Sequence, residues 1–205
     1  MKIRFCLIVM GLLACGCSSE HLRVSVSDEV LQSSYLGNGV EWDPYDEAPS
    51  WGAEVTEADW LKVIQTNLTG VFHCLKYELL QMNKQGGGAI VNTASIGGLK
   101  MTPGFGAYGP SKAGVIAITQ TAAVENAKAG IRVNVICPGP TDGTNLMADS
   151  KASGAQDTEF LINNVIPLGK LGTTDDIADS VAFLCSRMAG HITGCVLPVC
   201  GGMQM

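Results

Sequence analysis

The sequence predicts an α/β fold in which a parallel sheet carries helices on both faces. Short apolar runs that suit buried strands (89–93, 131–136 and 195–199) alternate with longer segments whose apolar residues recur at helical spacing. Glycine or proline marks the junctions, at Gly86-Gly87-Gly88, Gly130 and Cys137-Pro138-Gly139-Pro140. This alternation favours parallel pairing, because a parallel neighbour is reached only through a crossover, usually a helix.

The chain opens with Lys2 and Arg4, an apolar run from Phe5 to Ala14, then small residues and cysteine. That layout fits a secretory signal, and Leu12-Leu13-Ala14-Cys15 resembles a bacterial lipoprotein cleavage site. It fits a buried strand over IRFCLIVM equally well. It is too short for a membrane-spanning helix, which needs ~20 residues. Residues 20–56 are irregular: Leu22, Val24 and Val26 alternate briefly, and Gly37-Asn38-Gly39 leads into an acidic loop rich in Trp and Pro.

Thr56, with Asp59 three residues on, predicts a helix cap. Leu61, Ile64, Leu68, Val71, Phe72, Leu75 and Leu79 follow at helical spacing to about Met82. After the strand at 89–93, a Gly-rich loop leads to a long helix from about Tyr108 to Ala129. A strand over 131–136 comes next, then a segment, 141–170, without a strong period. Thr173 and Asp176 predict a cap for a helix to about Arg187, and Cys195–Val199 forms a last strand before Gly201-Gly202.

At 205 residues the chain is long enough for one sizeable core. Its net charge is -6 and it has no Lys/Arg block, which argues against a nucleic-acid partner. The eight cysteines form no CxxC pair and lie mostly in apolar runs, so they read as reduced, buried hydrophobes. His21, His73 and His191 lack ligand spacing, Cys15-x-Cys17 is a poor metal pair, and no metal site is expected.

Tyr108 and Lys112 are four apart at the start of a predicted helix and share one face. An ammonium beside a phenol stabilises phenolate, which makes Tyr108 a plausible proton donor or acceptor near neutral pH. Ser95, presented nearby, would hold a substrate oxygen while the proton moves. This is the chemistry of alcohol–ketone interconversion.

Residues from about 52 to 205 resemble the short-chain dehydrogenase/reductase family. The motifs are Asn67 in VIQTNLTGVF, Ser95 in IVNTASIGG, Tyr108 and Lys112 in YGPSKAG, Pro138-Gly139 in RVNVICPGP, and the closing TGCVLPVCGG, where Cys200 stands at a place often held by Asp. The resemblance implies a Rossmann-like parallel sheet, here truncated at its N-terminal half. The division is then a signal-like or replacement-strand segment over 1–19 and one truncated domain over 20–205. It further implies an NAD- or NADP-dependent oxidoreductase acting on a secondary alcohol or ketone. Tyr108 would be the acid/base, Lys112 would lower its pKa and hold the nicotinamide ribose, and Ser95 would orient the substrate oxygen. The carbonyl of Asn67 would hold a relay water. Pro138, Gly139 and Thr141 would border the nicotinamide. A Thr is usual where Gly143 stands, with Thr144 one residue late.

The family's Gly-x-x-x-Gly-x-Gly turn, which lets backbone N–H groups approach the pyrophosphate, has no match in the sequence. Two βαβ units of ~30 residues each would precede residue 52 in such a fold, and only about twenty residues separate Cys17 from Gly37. An alternative is therefore a non-catalytic subunit that joins a homo-oligomer through the helices at 57–82 and 108–129. The expected location is the cytoplasm, or export or lipid anchoring if residues 1–17 act as a signal.

Overall fold

A computed structural model describes residues 55–101, 105–144, 147–148 and 157–203. The readings made for residues 1–54, the signal or replacement strand among them, lie outside the described residues.

Helix α1 spans Glu57–Ile64. Thr56 caps it by accepting the Asp59 N–H at 3.1 Å, and Glu57 and Asp59 complement the positive helix N-terminus. It runs through a π turn, Gln65–Thr69, into α2, Gly70–Gln85. Gly86, in the left-handed region at φ 80°, ends α2 by donating to the Met82 carbonyl. Strand β1 is Gly88–Thr93, and a single 3-10 turn, Ile96–Gly98, follows. Helix α3 is Tyr108–Asn126, with a last 3-10 turn at Ala127–Ala129. Strand β2, Ile131–Pro138, runs two residues beyond the sequence expectation. The segment 141–170 carries structure that its composition conceals: a single helical turn, α4, at Thr158–Phe160 and a π turn at Leu161–Val165. Helix α5, Thr174–Cys185, starts at the expected capping box of Thr173 and Asp176. Strand β3 is Val196–Val199.

The described strands lie in the order β1-β2-β3, all parallel, with Val91 opposite Asn134 and Val135 opposite Val196. Alternation along β2 divides the core. Ile131, Val133, Val135 and Cys137 meet α2 and α3 through Leu75, Met82, Val71, Val115 and Ala123. On the opposite face Ile136 packs with Val91 against Ile177, Val181 and Leu184 of α5. Helices therefore cover both faces, as the sequence predicts. Within α1 and α2 the buried set differs from the predicted stripe: Val63 is buried, while Leu61 and Phe72 are 44% and 49% exposed. The π turn accounts for this, since one extra residue per turn rotates the face that a strict 3.6 period would place inward.

Polar anchors fix the α5 face. The Arg132 guanidinium reaches from β2 to the end of α5 and donates to the carbonyls of Leu184 (2.7 Å), Ser186 (3.2 Å) and Ile192 (3.2 Å). A cation at a helix C-terminus meets the carbonyls that the helix itself leaves unpaired. Asn134, fully buried, donates to the Ile192 carbonyl and accepts the Cys195 N–H. Among the described residues no helix is long and apolar enough to cross a membrane. The described cysteines, Cys74, Cys137, Cys185, Cys195 and Cys200, are all free thiols.

Candidate active site

The carboxyl ends of β1 and β2 open toward the first turn of α3, the end at which parallel α/β sheets bind ligands. Ser95 follows β1 and caps the 3-10 turn, its Oγ accepting the Gly97 N–H at 3.1 Å. A Cβ on Gly97 would lie 3.4 Å from the Tyr108 ring and 3.5 Å from Ser95 Oγ. The phenol ring and the serine hydroxyl thus flank one glycine. Gly98 lets the turn sit directly on α3, since a Cβ there would fall 2.7 Å from the Lys112 carbonyl carbon.

Tyr108 is 5% exposed and Lys112 is 9% exposed. The Lys112 ammonium stands 5.5 Å from the centroid of the Tyr108 ring, within cation–π range. The Phe105 ring tilts against the Tyr108 ring at 5.5 Å between centroids. Three of the expected residues, Ser95, Tyr108 and Lys112, are therefore brought together.

Asn67 is tied to the same turn of α3 through its side chain. It lies on the π turn and is buried, and its side-chain amide donates to Ser111 Oγ at 3.2 Å. Ser111 Oγ in turn donates to the Tyr108 carbonyl at 2.7 Å. Sequence reasoning missed Ser111, although its position three residues after Tyr108 puts it on the same face of the helix.

Below Ser95, burial pushes the Cys137 thiol up to about 12, overriding a hydrogen bond from the Ser95 backbone that pulls the other way. Cys137 is a neutral thiol and so an inert floor to the site. At the end of β2, Gly139 donates its N–H to the Val199 carbonyl at 2.9 Å. A Cβ on Gly139 would fall 2.9 Å from Cys200 Cα, so close approach of the two strand ends already requires glycine here. The Thr141 hydroxyl turns back to the Gly139 carbonyl at 2.9 Å, and Thr144 does the same to the Thr141 carbonyl. Among the described residues no group of three or more His, Cys, Asp or Glu could hold a metal ion.

The family model described as enoyl-(acyl carrier protein) reductase matches residues 47–204. A 3-oxoacyl-[acyl-carrier-protein] reductase, FabG, of Staphylococcus epidermidis is 44% identical over 151 residues, which cover 73% of this chain. The matched region spans only 59% of that relative's length. A solved structure of ElxO with NADP bound superposes with a TM-score of 0.70 at 38% identity, covering 76% of this chain and 62% of the other. An oxidoreductase of the short chain dehydrogenase/reductase family from Burkholderia thailandensis gives 0.69 at 33% identity, covering 76% and 61%.

Proposed function

We propose, for a chain that belongs to the short-chain dehydrogenase/reductase family, that this site interconverts a secondary alcohol and a ketone with NAD or NADP, Tyr108 acting as acid/base. The observation that carries the reading is the buried Tyr108–Lys112 pair, ammonium 5.5 Å from the ring centroid, facing Ser95 across Gly97.

Each residue has a task its surroundings fit. The Ser95 oxygen already accepts the Gly97 N–H, which leaves its own proton to donate to a substrate oxygen. Tyr108 delivers its proton to that oxygen during reduction and takes it back during oxidation. Lys112 favours the phenolate that remains. The donor set also suits the nicotinamide–ribose end of a dinucleotide. Lys112 and Tyr108 would meet the ribose, and Pro138, Gly139 and Thr141 would border the ring. When bound, the cofactor supplies or accepts the hydride. The sequence holds no Gly-x-x-x-Gly-x-Gly turn for the pyrophosphate, so the pyrophosphate contact has no counterpart among these residues. The relatives named as 3-oxoacyl-[acyl-carrier-protein] reductases make a 3-oxoacyl thioester the first substrate to try. A cytoplasmic location suits a site that draws on a nicotinamide pool.

A second reading, a subunit that assembles without turnover, is favoured by one observation. Phe72, Tyr77 and Leu80 of α2 are 49–54% exposed and Val124 of α3 is 80% exposed, a surface suited to a homo-oligomer. Equilibrium titration with NADH and NADPH separates the two readings. Saturable binding, followed by cofactor oxidation with a 3-oxoacyl thioester, is expected of the oxidoreductase. No binding at cofactor concentrations on the order of 1 mM, the upper end of ordinary enzyme affinities, would leave assembly alone.

A further inference from the structure

We propose that Ser111 is a positioning residue for this site, locking the Tyr108 turn of α3 to the π turn that carries Asn67. The proposal rests on the oxidoreductase reading above. Ser111 lies between Tyr108 and Lys112 in sequence and is 0% exposed. Its hydroxyl accepts from the Asn67 amide at 3.2 Å and donates to the Tyr108 carbonyl at 2.7 Å. One oxygen thus joins two helices whose bonded residues are 44 apart in sequence. The π turn supplies the reach, because its extra residue displaces Asn67 from the regular helical row toward α3.

The same helix carries an internal control. Thr119 is also 0% exposed; its hydroxyl accepts from the Asn92 amide at 2.8 Å and donates to the Val115 carbonyl at 2.7 Å. The two constructions match in donor, acceptor and burial. They differ in place: the Thr119 link ties α3 to β1 further along the helix, and the Ser111 link holds the turn that bears Tyr108 and Lys112. A hydroxyl bonded back to a carbonyl one turn earlier bends a helix locally. The Ser111 link acts on the turn that carries both the phenol and the ammonium.

The test compares Ser111→Ala, Thr119→Ala, Asn67→Ala and the Asn67→Ala/Ser111→Ala double variant. Ser111→Ala should lower kcat about 10- to 100-fold with KM held within about twofold, the size of loss that small misplacement produces. It should also move the pH of half-maximal turnover upward by about half to one unit, because a loosened ammonium stabilises phenolate less. Thr119→Ala should lower Tm comparably and leave kcat and the pH profile in place. The double variant should be no worse than the more damaged single, since both break one chain of bonds. Additive losses, or a Ser111→Ala profile matching that of Thr119→Ala, would overturn the proposal. The Tyr108 phenol is read independently from the ultraviolet titration of cofactor-free protein, taken as the difference from Tyr108→Phe. A Tyr108 titration that Ser111→Ala leaves unmoved overturns the positioning role whether or not the wild type turns over. Absence of wild-type turnover with a moved titration overturns only the oxidoreductase reading.

Discussion

On the α5 face of the sheet the half-buried Arg132 and the buried Asn134 bond to backbone. Arg132 gathers the carbonyls that close α5, and Asn134 fixes the turn into β3. On the α2/α3 face the buried Asn67 and Asn92 bond to other side chains. Asn67 meets Ser111, and Asn92 meets Thr119. Backbone partners hold elements in register and have no proton to pass on. Hydroxyl partners join side chains of different elements, and one of these chains ends at the residue bearing the phenol. The two faces of the sheet are therefore held by different kinds of partner, with β2 serving both through its alternating side chains.

The strongest way to break that contrast is to remove the anchor. Arg132→Ala leaves the carbonyls at the end of α5 without their charged donor. Stability measured by chemical denaturation should fall by about 3 kcal/mol, the scale of charge-assisted hydrogen bonds lost together. Arg132→Lys should recover only part of it, because an ammonium cannot span the same fork of carbonyls. An Arg132→Ala protein as stable as its parent would show that the α5 face is not held this way.

A pH-dependent effect sharpens the contrast from the other side. Glu78 lies on the buried stripe of α2 with Val71, Leu75 and Met82, is 5% exposed, and has one carboxylate oxygen without a partner. Burial raises its carboxyl from the ordinary 4.5 to about 7. The folded state therefore favours the neutral acid. The associated stability is full below the unfolded-chain value and is lost as pH rises from about 4.5 through about 7, by on the order of 3 kcal/mol. Glu78→Gln should flatten this slope in denaturation curves recorded across that range. A parent protein equally stable at both ends would refute the assignment.

Much of this was legible in the sequence, and the exceptions have physical causes. Thr56 and Thr173 announced their helices because a cap is a local side-chain bond with a fixed spacing. The juxtaposition of Tyr108 and Lys112 was legible because residues four apart share one face of a helix. The π turn was not, since it rearranges backbone bonds without altering which residues are apolar; its trace is the exposure of Leu61 and Phe72. Ser111 passed as an ordinary helical serine because its acceptor and donor come from different elements. Arg132 and Asn134 did leave a signal, two polar residues on one face of an otherwise apolar strand, which points to partners on that face.

We propose that proton transfer belongs to Tyr108 while the fold is held elsewhere. Single-turnover hydride transfer by Tyr108→Phe, measured alongside its Tm and cofactor affinity, tests it most directly. The expected result is a rate loss of about 10³-fold, within the range general acid–base groups supply, with Tm and affinity close to those of the parent. A Tyr108→Phe protein that transfers hydride at the parental rate would contradict it.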